Sequence, residues 1–286
     1  MEDRDWVVLQ ELYKYKNITR TAQALFISQP SLTKRLRHIE KELGVKIVQR
    51  GRRGVHFTPQ GEYLAKAAKE MLFNLRQIKE QVQNIDDKVA GPLRLGVSNY
   101  FTKFKLPGIL KAFKSRYPQV EFQVTTGWSR EVHQLVYNRE VHIGFVRGDY
   151  SWPDQKHLLF EEPICIASVE TIDLKELPTH PRINYQTESP FQKLMDNWWT
   201  ENYTEPPLVG MNVDKVDTCR EMIINGLGYA IVPRAMLDGV ADVNKINITD
   251  AAGNPLLRQT WMFYYQESLH LHSVRAFVRF MTDTQE

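Results

Sequence analysis

Residues 28–44 read SQPSLTKRLRHIEKELG. Ser28 is a good helix N-cap, because its hydroxyl can accept from one of the backbone N–H groups that a first helical turn leaves unpaired. Pro30 falls in that first turn, where a missing N–H costs little. Leu32, Leu36, Ile39 and Leu43 then recur at spacings of 4, 3 and 4, giving one apolar stripe, and Gly44 suits a C-cap. Ser31, Thr33, Lys34, Arg37 and Lys41 fall off the stripe. The stretch therefore predicts a helix pinned to a core by one face, with a basic, hydroxyl-bearing face turned outward.

The flanking residues extend this pattern. Trp6, Leu9 and Tyr13 recur at helical spacing beside Val8 and Leu12, predicting a first helix that ends near Lys16. Thr19 stands where an N-cap belongs, and Ala22 and Leu25 follow it, predicting a second short helix over about 20–26. After Gly44, Val45 to Val48 can form a strand. Arg50 to Gly54 is a basic turn, and Val55 to Phe57 can return as a second strand. Thr58-Pro59 restarts helix as N-cap and first helical residue. A short helix, a capped basic helix and a hairpin make a winged helix-turn-helix, whose second helix enters the major groove with its N-terminal residues at the base edges. The wing arginines would lie against phosphate or in the minor groove. The candidate DNA contacts are Thr19, Gln29, Pro30, Ser31, Thr33, Lys34, Arg37, Arg50, Arg52 and Arg53.

Charge agrees with that reading. The 286 residues carry a net charge of +3, but residues 1–58 hold 12 Lys+Arg against 6 Asp+Glu, and residues 91–286 hold 20 against 23. A small basic domain on a mildly acidic body suits a polyanion partner, double-stranded DNA. Between them, Leu64, Ala68, Met71, Leu75, Ile78, Val82 and Ile85 recur at alternating spacings of 4 and 3. That 3.5-residue repeat predicts a coiled-coil seam and hence self-association.

The run ITRTAQALFISQPSLTKRLRHIEKELGVKIVQRGRRGVHFTPQG, residues 18–61, resembles the DNA-binding end of LysR-type transcriptional regulators. Ile47-Val48 stands where that family usually has Leu-Phe, and Asn17 where Ser or Gly is common. The resemblance implies a winged helix-turn-helix over 1–58, a linker and dimerisation helix over 59–90, and an effector-binding domain over 91–286. It also implies homodimers that pair into homotetramers, with RNA polymerase as a candidate further partner.

The larger part reads as alternating strand and helix: LRLGV, a helix from Phe104 to Tyr117, EFQVT, a helix from Ser129 to Asn138, then HIGFV. A second round starts near Ile164 with ICIAS and includes LVGMNV, YAIVP and TWMFYY, and Ser273 to Met281 closes as helix. This is an α/β pattern with parallel, doubly wound sheet. The fold class is thus mixed: a winged helix-turn-helix, a long linker helix and a two-lobed α/β, periplasmic-binding-protein-like domain. Lobe 1 is expected over about 91–162 plus 267–286, and lobe 2 over about 163–266.

Ligands of such sheets sit at strand C-terminal ends and helix N-termini. The residues expected there are Ser98, Asn99, Tyr100, Thr126, Trp128, Ser129, Arg147, Thr187 and Ser189, with Arg258 ahead of the TWMFYY strand. Hydroxyls and helix N–H groups can share an anion, and Arg147 and Arg258 can grip carboxylates bidentately. The segments TTGWSREVHQLVYNREVHIGFVRGD, NVDKVDTCREMIINGLGYAIVPRAM and LLRQTWMFYY resemble a subgroup of catabolite control regulators that respond to citrate. That resemblance implies that Ser98, Arg147 and Arg258 hold carboxylates, and that the targets are genes of the tricarboxylic acid cycle and central carbon metabolism.

Other chemistry is expected to be absent. No Gly-rich phosphate loop, G-x-S-x-G elbow or paired catalytic acids occur, so no catalytic residue is assigned and no enzyme is expected. Cys165 and Cys219 are far apart, which gives neither a disulfide framework nor metal spacing and suits a reducing cytoplasm. His270 and His272 do not share a helix face, so neither metal nor cofactor is expected. No apolar run long enough for a membrane helix exists. The competing functions are a regulator of the same family that senses another acid or no ligand, an enzyme carrying a DNA-binding head, and a ligand-free architectural DNA binder.

Overall fold

The computed structural model describes residues 1–51, 54–84 and 88–283, without the side chains of Arg50, Gln83 and Phe104. Arg52, Arg53 and Ile85 lie outside the described residues. The chain divides into two compact units, Met1–Asp86 and Asp87–Glu286.

The first unit begins with α1 (Asp3–Tyr15), α2 (Ile18–Ala24) and α3 (Gln29–Leu43). The cap of α2 is Asn17, not Thr19: the Asn17 side chain accepts from the Arg20 N–H at 3.0 Å. Asn is the better cap and comes first, so Thr19 becomes an exposed residue of the first turn. In α3, Ser28 accepts from the Ser31 N–H at 3.3 Å, and Gly44 closes the helix at φ 67°. Leu32, Leu36 and Ile39 are buried, but Leu43 is 39% exposed in the last turn, outside the expected stripe.

The wing is an antiparallel pair, β1 (Val48–Gly51) and β2 (Gly54–Phe57). It starts at Val48 rather than Val45, because α3 holds the preceding residues. The Glu40 carbonyl accepts from the Val45 N–H at 3.1 Å, and the Glu40 carboxylate accepts from the Ile47 N–H and the Lys46 ammonium, both at 2.9 Å. Gly54 is required on β2: its φ is 129°, and a Cβ there would lie 2.4 Å from the Lys16 carbonyl oxygen.

Helix α4 (Pro59–Gln83) starts on the Thr58 cap, whose hydroxyl accepts from the Gly61 N–H at 3.0 Å. Its first turns belong to the head. Ala68 is fully buried with Leu9, Leu12, Leu36, Ile39, Ile47 and Val55, and Leu64 packs against them. Leu64 and Ala68 are therefore core positions of this unit, not part of an outward seam. The uncovered part of the repeat is Met71, Ile78 and Val82, at 47%, 57% and 62% exposed, with Leu75 half-buried.

The second unit runs in chain order β3 (Gly91–Ser98), α5 (Asn99–Phe104), α6 (Leu106–Arg116), β4 (Val120–Gly127), α7 (Ser129–Tyr137) and β5 (Ile143–Arg147). It continues β6 (Gln155–Ser168), β7 (Arg182–Tyr185), α8 (Ser189–Asn202), β8 (Val209–Val213), α9 (Val216–Ile224) and β9 (Ala230–Pro233). It closes β10 (Asn244–Asn247), β11 (Leu257–Tyr264) and α10 (His272–Asp283). Helix starts sooner than expected here, at Asn99 rather than Phe104.

The main sheet has the order β10-β6-β11-β5-β3-β4, with β9 also paired to β6. β3 is parallel to β4 and β5, but β11 is antiparallel to both of its neighbours, so the sheet is mixed rather than parallel throughout. Strand β6 is the hinge element. Its first part pairs with β11, and its continuation from Ile164 pairs with β9 and β10.

This corrects the lobe boundary. β11 was expected in lobe 2, yet Met262 and Tyr264 lie in the lobe 1 core with Leu95, Phe145 and Phe277. The reason is topological: β11 fills the space between β5 and the first half of β6 and completes the lobe 1 sheet. Lobe 2 buries two clusters around Cys165, Cys219 and Val232 and around Ile166, Trp198 and Trp199.

Candidate functional site

In the first unit, α3 turns Gln29, Pro30, Ser31, Lys34 and Arg37 to solvent, with Thr33 half-buried. Arg35 is excluded from that face. Its Nε donates to Asp5 Oδ1 at 2.6 Å and its Nη2 to Glu2 Oε2 at 2.7 Å. These bonds, Asp5 first, raise the Arg35 guanidinium further above its ordinary value despite partial burial. Arg35 therefore fastens α3 to α1, and Asp5, 2% exposed, is its buried counterion. The sequence reading missed this pair, although Asp5 beside the apolar positions of α1 was the available signal. What remains outward is an amide, two hydroxyls, an ammonium and a guanidinium on one face. Such a set can read base edges and neutralise phosphates.

In the second unit, a cavity of about 450 Å³ opens between the lobes. The starts of four helices meet around it: Ser98, Asn99 and Tyr100 at α5, Trp128 and Ser129 at α7, Glu188 at α8, and Lys215, Val216 and Asp217 at α9. Each start carries N–H groups that have no acceptor within their own helix and the positive end of a helix dipole. Arg147, Arg258, Tyr185, Thr187 and Lys103 complete the wall. Of the expected residues, Ser98, Asn99, Tyr100, Trp128, Ser129, Arg147, Thr187 and Arg258 are brought together here. Thr126 and Ser189 are not: both are exposed, Thr126 on the edge strand β4 and Ser189 just past the α8 cap. Lys103, Tyr185, Asp214, Lys215 and Asp217 were not foreseen; the last three open α9, where a helix start after a strand was legible.

The arginines come from adjacent strands. Arg147 ends β5 opposite Thr260 of β11, and Arg258 of β11 lies opposite Glu162 of β6. The Arg147 side chain is 2% exposed and pairs with Glu162, itself 6% exposed. Its guanidinium stacks 3.7 Å from the centre of the Tyr100 ring, and the Tyr100 hydroxyl donates to Glu162 Oε2 at 2.9 Å. Burial pulls the Arg147 guanidinium down from its ordinary value, with Arg258 nearby as the next cause. Burial likewise pushes the Tyr100 phenol up to about 12, which keeps its proton available to Glu162. Arg258 lies over the Phe191 ring at 4.2 Å, and its Nη2 donates to Glu188 Oε2 at 3.4 Å. The other Glu188 oxygen accepts from the Ser129 N–H. Lys103 pairs with Asp217 at 2.7 Å.

The polar atoms of the wall without a protein hydrogen-bond partner include the Arg147 Nε and two hydroxyls, those of Ser98 and Tyr185. A buried unpaired hydroxyl costs free energy, so these two are positions a ligand can satisfy. Among the described residues, no cluster of three His, Cys, Asp or Glu side chains could hold a metal ion, and no helix is long and apolar enough to cross a membrane.

Known proteins share both units. A family model described as the bacterial regulatory helix-turn-helix protein of the lysR family matches residues 4–62, and one described as the LysR substrate binding domain matches residues 86–286. The uncharacterized HTH-type transcriptional regulator YraN of Bacillus subtilis (strain 168) is 37% identical over 285 residues, covering 100% of this chain and 99% of that protein. A second regulator of that organism, YkuM, also uncharacterized, is 31% identical over 285 residues, covering 99% and 97%. Full-length CbnR complexed with its target DNA superposes with a TM-score of 0.69 at 18% identity, covering 99% of this chain and 100% of that one. The Vibrio cholerae virulence activator AphB superposes with a TM-score of 0.63 at 16% identity, covering 99% of each chain.

Proposed function

The chain belongs to the LysR family of bacterial helix-turn-helix regulators, a transcriptional regulator with an effector-binding domain and not an enzyme, and from that premise we propose that its effector is a small carboxylate held in the cleft between the lobes. Citrate is the first candidate, and genes of central carbon metabolism are the proposed targets. The observation that carries the reading is the meeting of four helix starts and two arginines, Arg147 buried and Arg258 with its side chain 10% exposed, around one cavity. Helix N-termini and guanidinium groups are the standard protein partners of carboxylates.

The protein acts on double-stranded DNA through α3, with Gln29 and Ser31 at base edges and Lys34 and Arg37 towards phosphates. The exposed Met71, Ile78 and Val82 of α4 support a homodimer, and pairing into a homotetramer that works with RNA polymerase belongs to the same proposal. Coupling two heads multiplies the specificity of one short half-site. Ligand in the cleft favours one arrangement of the lobes, and only its differential affinity for the two arrangements can shift the regulator. A zwitterion such as an amino acid is the second reading, favoured by Asp214 and Asp217 on the same wall.

The test is thermal unfolding of the full chain against acetate, succinate, citrate and amino acids, with Ser98→Ala and Tyr185→Phe beside the wild type. A ligand of the native state raises the midpoint by mass action. These two hydroxyls have no protein partner, so their removal leaves the ligand-free midpoint within about 2 °C, using roughly 0.5 kcal/mol for a substitution that breaks no bond. The expected result is a citrate or succinate shift that shrinks in both variants. A shift with amino acids alone moves the assignment to the second reading, and a carboxylate shift untouched by either substitution places the site elsewhere.

A further inference from the structure

Glu188 holds an unusual position for a helix cap. It is the residue before α8, yet its carboxylate makes no capping bond to its own helix. It crosses the cleft instead, accepting from the Ser129 N–H at the start of α7 in lobe 1 and from Arg258 at 3.4 Å. The side chain is only 9% exposed, and that of Arg258 10%. Ser129 is the first residue of α7, so its N–H has no acceptor within the helix. A helix-start N–H and an arginine together are the partners a ligand carboxylate would seek. In this structure a residue of the protein already occupies them.

We propose that Glu188 is a tethered carboxylate that occupies the ligand's anion site, latching lobe 2 to α7 of lobe 1 until an effector carboxylate displaces it. The proposal rests on the carboxylate reading of the cleft and deepens it. The rest of the wall supports it. Lys103 is matched by Asp217, and Arg147 by Glu162. A ligand anion therefore finds its strongest partners already taken, and the swap exchanges one carboxylate for another at the same atoms. Displacement frees the α8 end of lobe 2 from Ser129, so binding and lobe rearrangement become a single event. The latch also sets a threshold. If the occupied form holds 90–99% of the molecules, apparent ligand affinity is weakened about 10- to 100-fold relative to an open cleft.

Two substitutions separate the latch from plain charge repulsion. Glu188→Gln removes the charge and keeps the shape. Glu188→Asp keeps the charge but is one methylene short of Ser129. Two readouts use the full chain: hydrogen exchange at the Ser129 amide without ligand, and calorimetric titration with acetate, succinate and citrate. The latch predicts faster Ser129 exchange in both variants, and binding about tenfold tighter or more for succinate or citrate. Unchanged Ser129 exchange in both variants overturns it. So does an affinity gain confined to Glu188→Gln, which would mean the carboxylate only repels. If no carboxylate binds the wild type or either variant, the carboxylate reading of the cleft fails, and Ser129 exchange alone then decides whether the latch exists.

Discussion

The sharpest consequence of the cleft geometry concerns Arg147 and Glu162. Both are buried, with side chains 2% and 6% exposed, and each is the other's only counterion in direct contact among the described residues. Arg147→Met keeps most of the volume and the contact with the Tyr100 ring, but strands the Glu162 charge with a single remaining bond, from the Tyr100 hydroxyl. Breaking one side of a buried ion pair costs about 3–5 kcal/mol. For a unit of this size each kcal/mol moves the melting midpoint by about 2–4 °C, so the loss should be roughly 6–20 °C. Glu162→Leu should cost a similar amount by stranding the guanidinium. The double variant removes both charges and leaves only the Tyr100 hydroxyl without its acceptor, a cost of about 1–3 kcal/mol. The two single costs should therefore overshoot the double by several kcal/mol. Urea unfolding followed by tryptophan fluorescence suits the measurement, because Trp128, Trp152, Trp198, Trp199 and Trp261 all lie in the second unit. Singles that add to the double within about 0.5 kcal/mol would refute the reasoning, since uncoupled residues behave that way.

Other consequences can be checked separately. On DNA selected from a random pool, Gln29→Ala should relax discrimination at one base position by about 1–3 kcal/mol, whereas Lys34→Ala should weaken all sequences alike and reduce the salt slope by about 1, as read by anisotropy titrations at several salt concentrations. Burial pushes the Glu40 carboxyl up, but the Ile47 N–H and the Lys46 ammonium outweigh it and hold the group below 4.5. Its stabilisation is thus present above about pH 4.5 and fades as pH falls through the lowered value; the unfolding free energies of wild type and Glu40→Gln from urea titration, apart by about 1.5–3 kcal/mol at pH 7, should converge in acid. Burial pushes the Cys165 thiol up to about 11 and the Cys219 thiol up to about 12. Folding therefore favours the neutral thiols, their contribution is complete below about pH 9 and lost towards pH 11 to 12, and iodoacetamide at pH 8 should label the native chain far more slowly than the unfolded one. Ile78→Lys, at a 57% exposed position of α4, should lower the sedimentation coefficient by weakening self-association while leaving the head folded.

Local chemistry decided how much of this could be read from residue order. Ser28, Pro30, the leucine stripe and Gly44 act within one helix, so α3 was legible nearly to the residue. The wing start was not, because Glu40 reaches forward to Lys46 and Ile47, a contact that no periodicity announces. Leu64 and Ala68 kept the heptad spacing of the helix they share with Ile78 and Val82. The two pairs differ only in what covers them, and the head core covers the first. β11 was assigned to the wrong lobe for a similar reason. Its apolar run TWMFYY marks a buried strand, but burial between β5 and β6 rather than beside β9 is a property of strand order.

The cleft shows the same division between residue identity and pairing. Arg147 and Arg258 stood out as cations at strand ends, which suggested a strongly positive site open to a multiply charged acid. The folded chain supplies Glu162 and Glu188 to those arginines and Asp217 to Lys103. Side-chain charge at these three pairs therefore cancels, and the net pull on an anion comes from the helix starts and from exchange with Glu188. Exchange differs from simple attraction in one respect. The displaced carboxylate must find solvent or another donor, so affinity depends on how cheaply lobe 2 can withdraw Glu188 from Ser129. A ligand with two carboxylates can take the Glu188 site with one and has a second to offer the unpartnered hydroxyls of the same wall, Ser98 and Tyr185, while acetate can do only the first. Succinate and citrate should thus bind far more tightly than acetate. That gap should persist in Glu188→Gln while every carboxylate gains affinity, because displacing the charged resident costs acetate and the diacids the same factor.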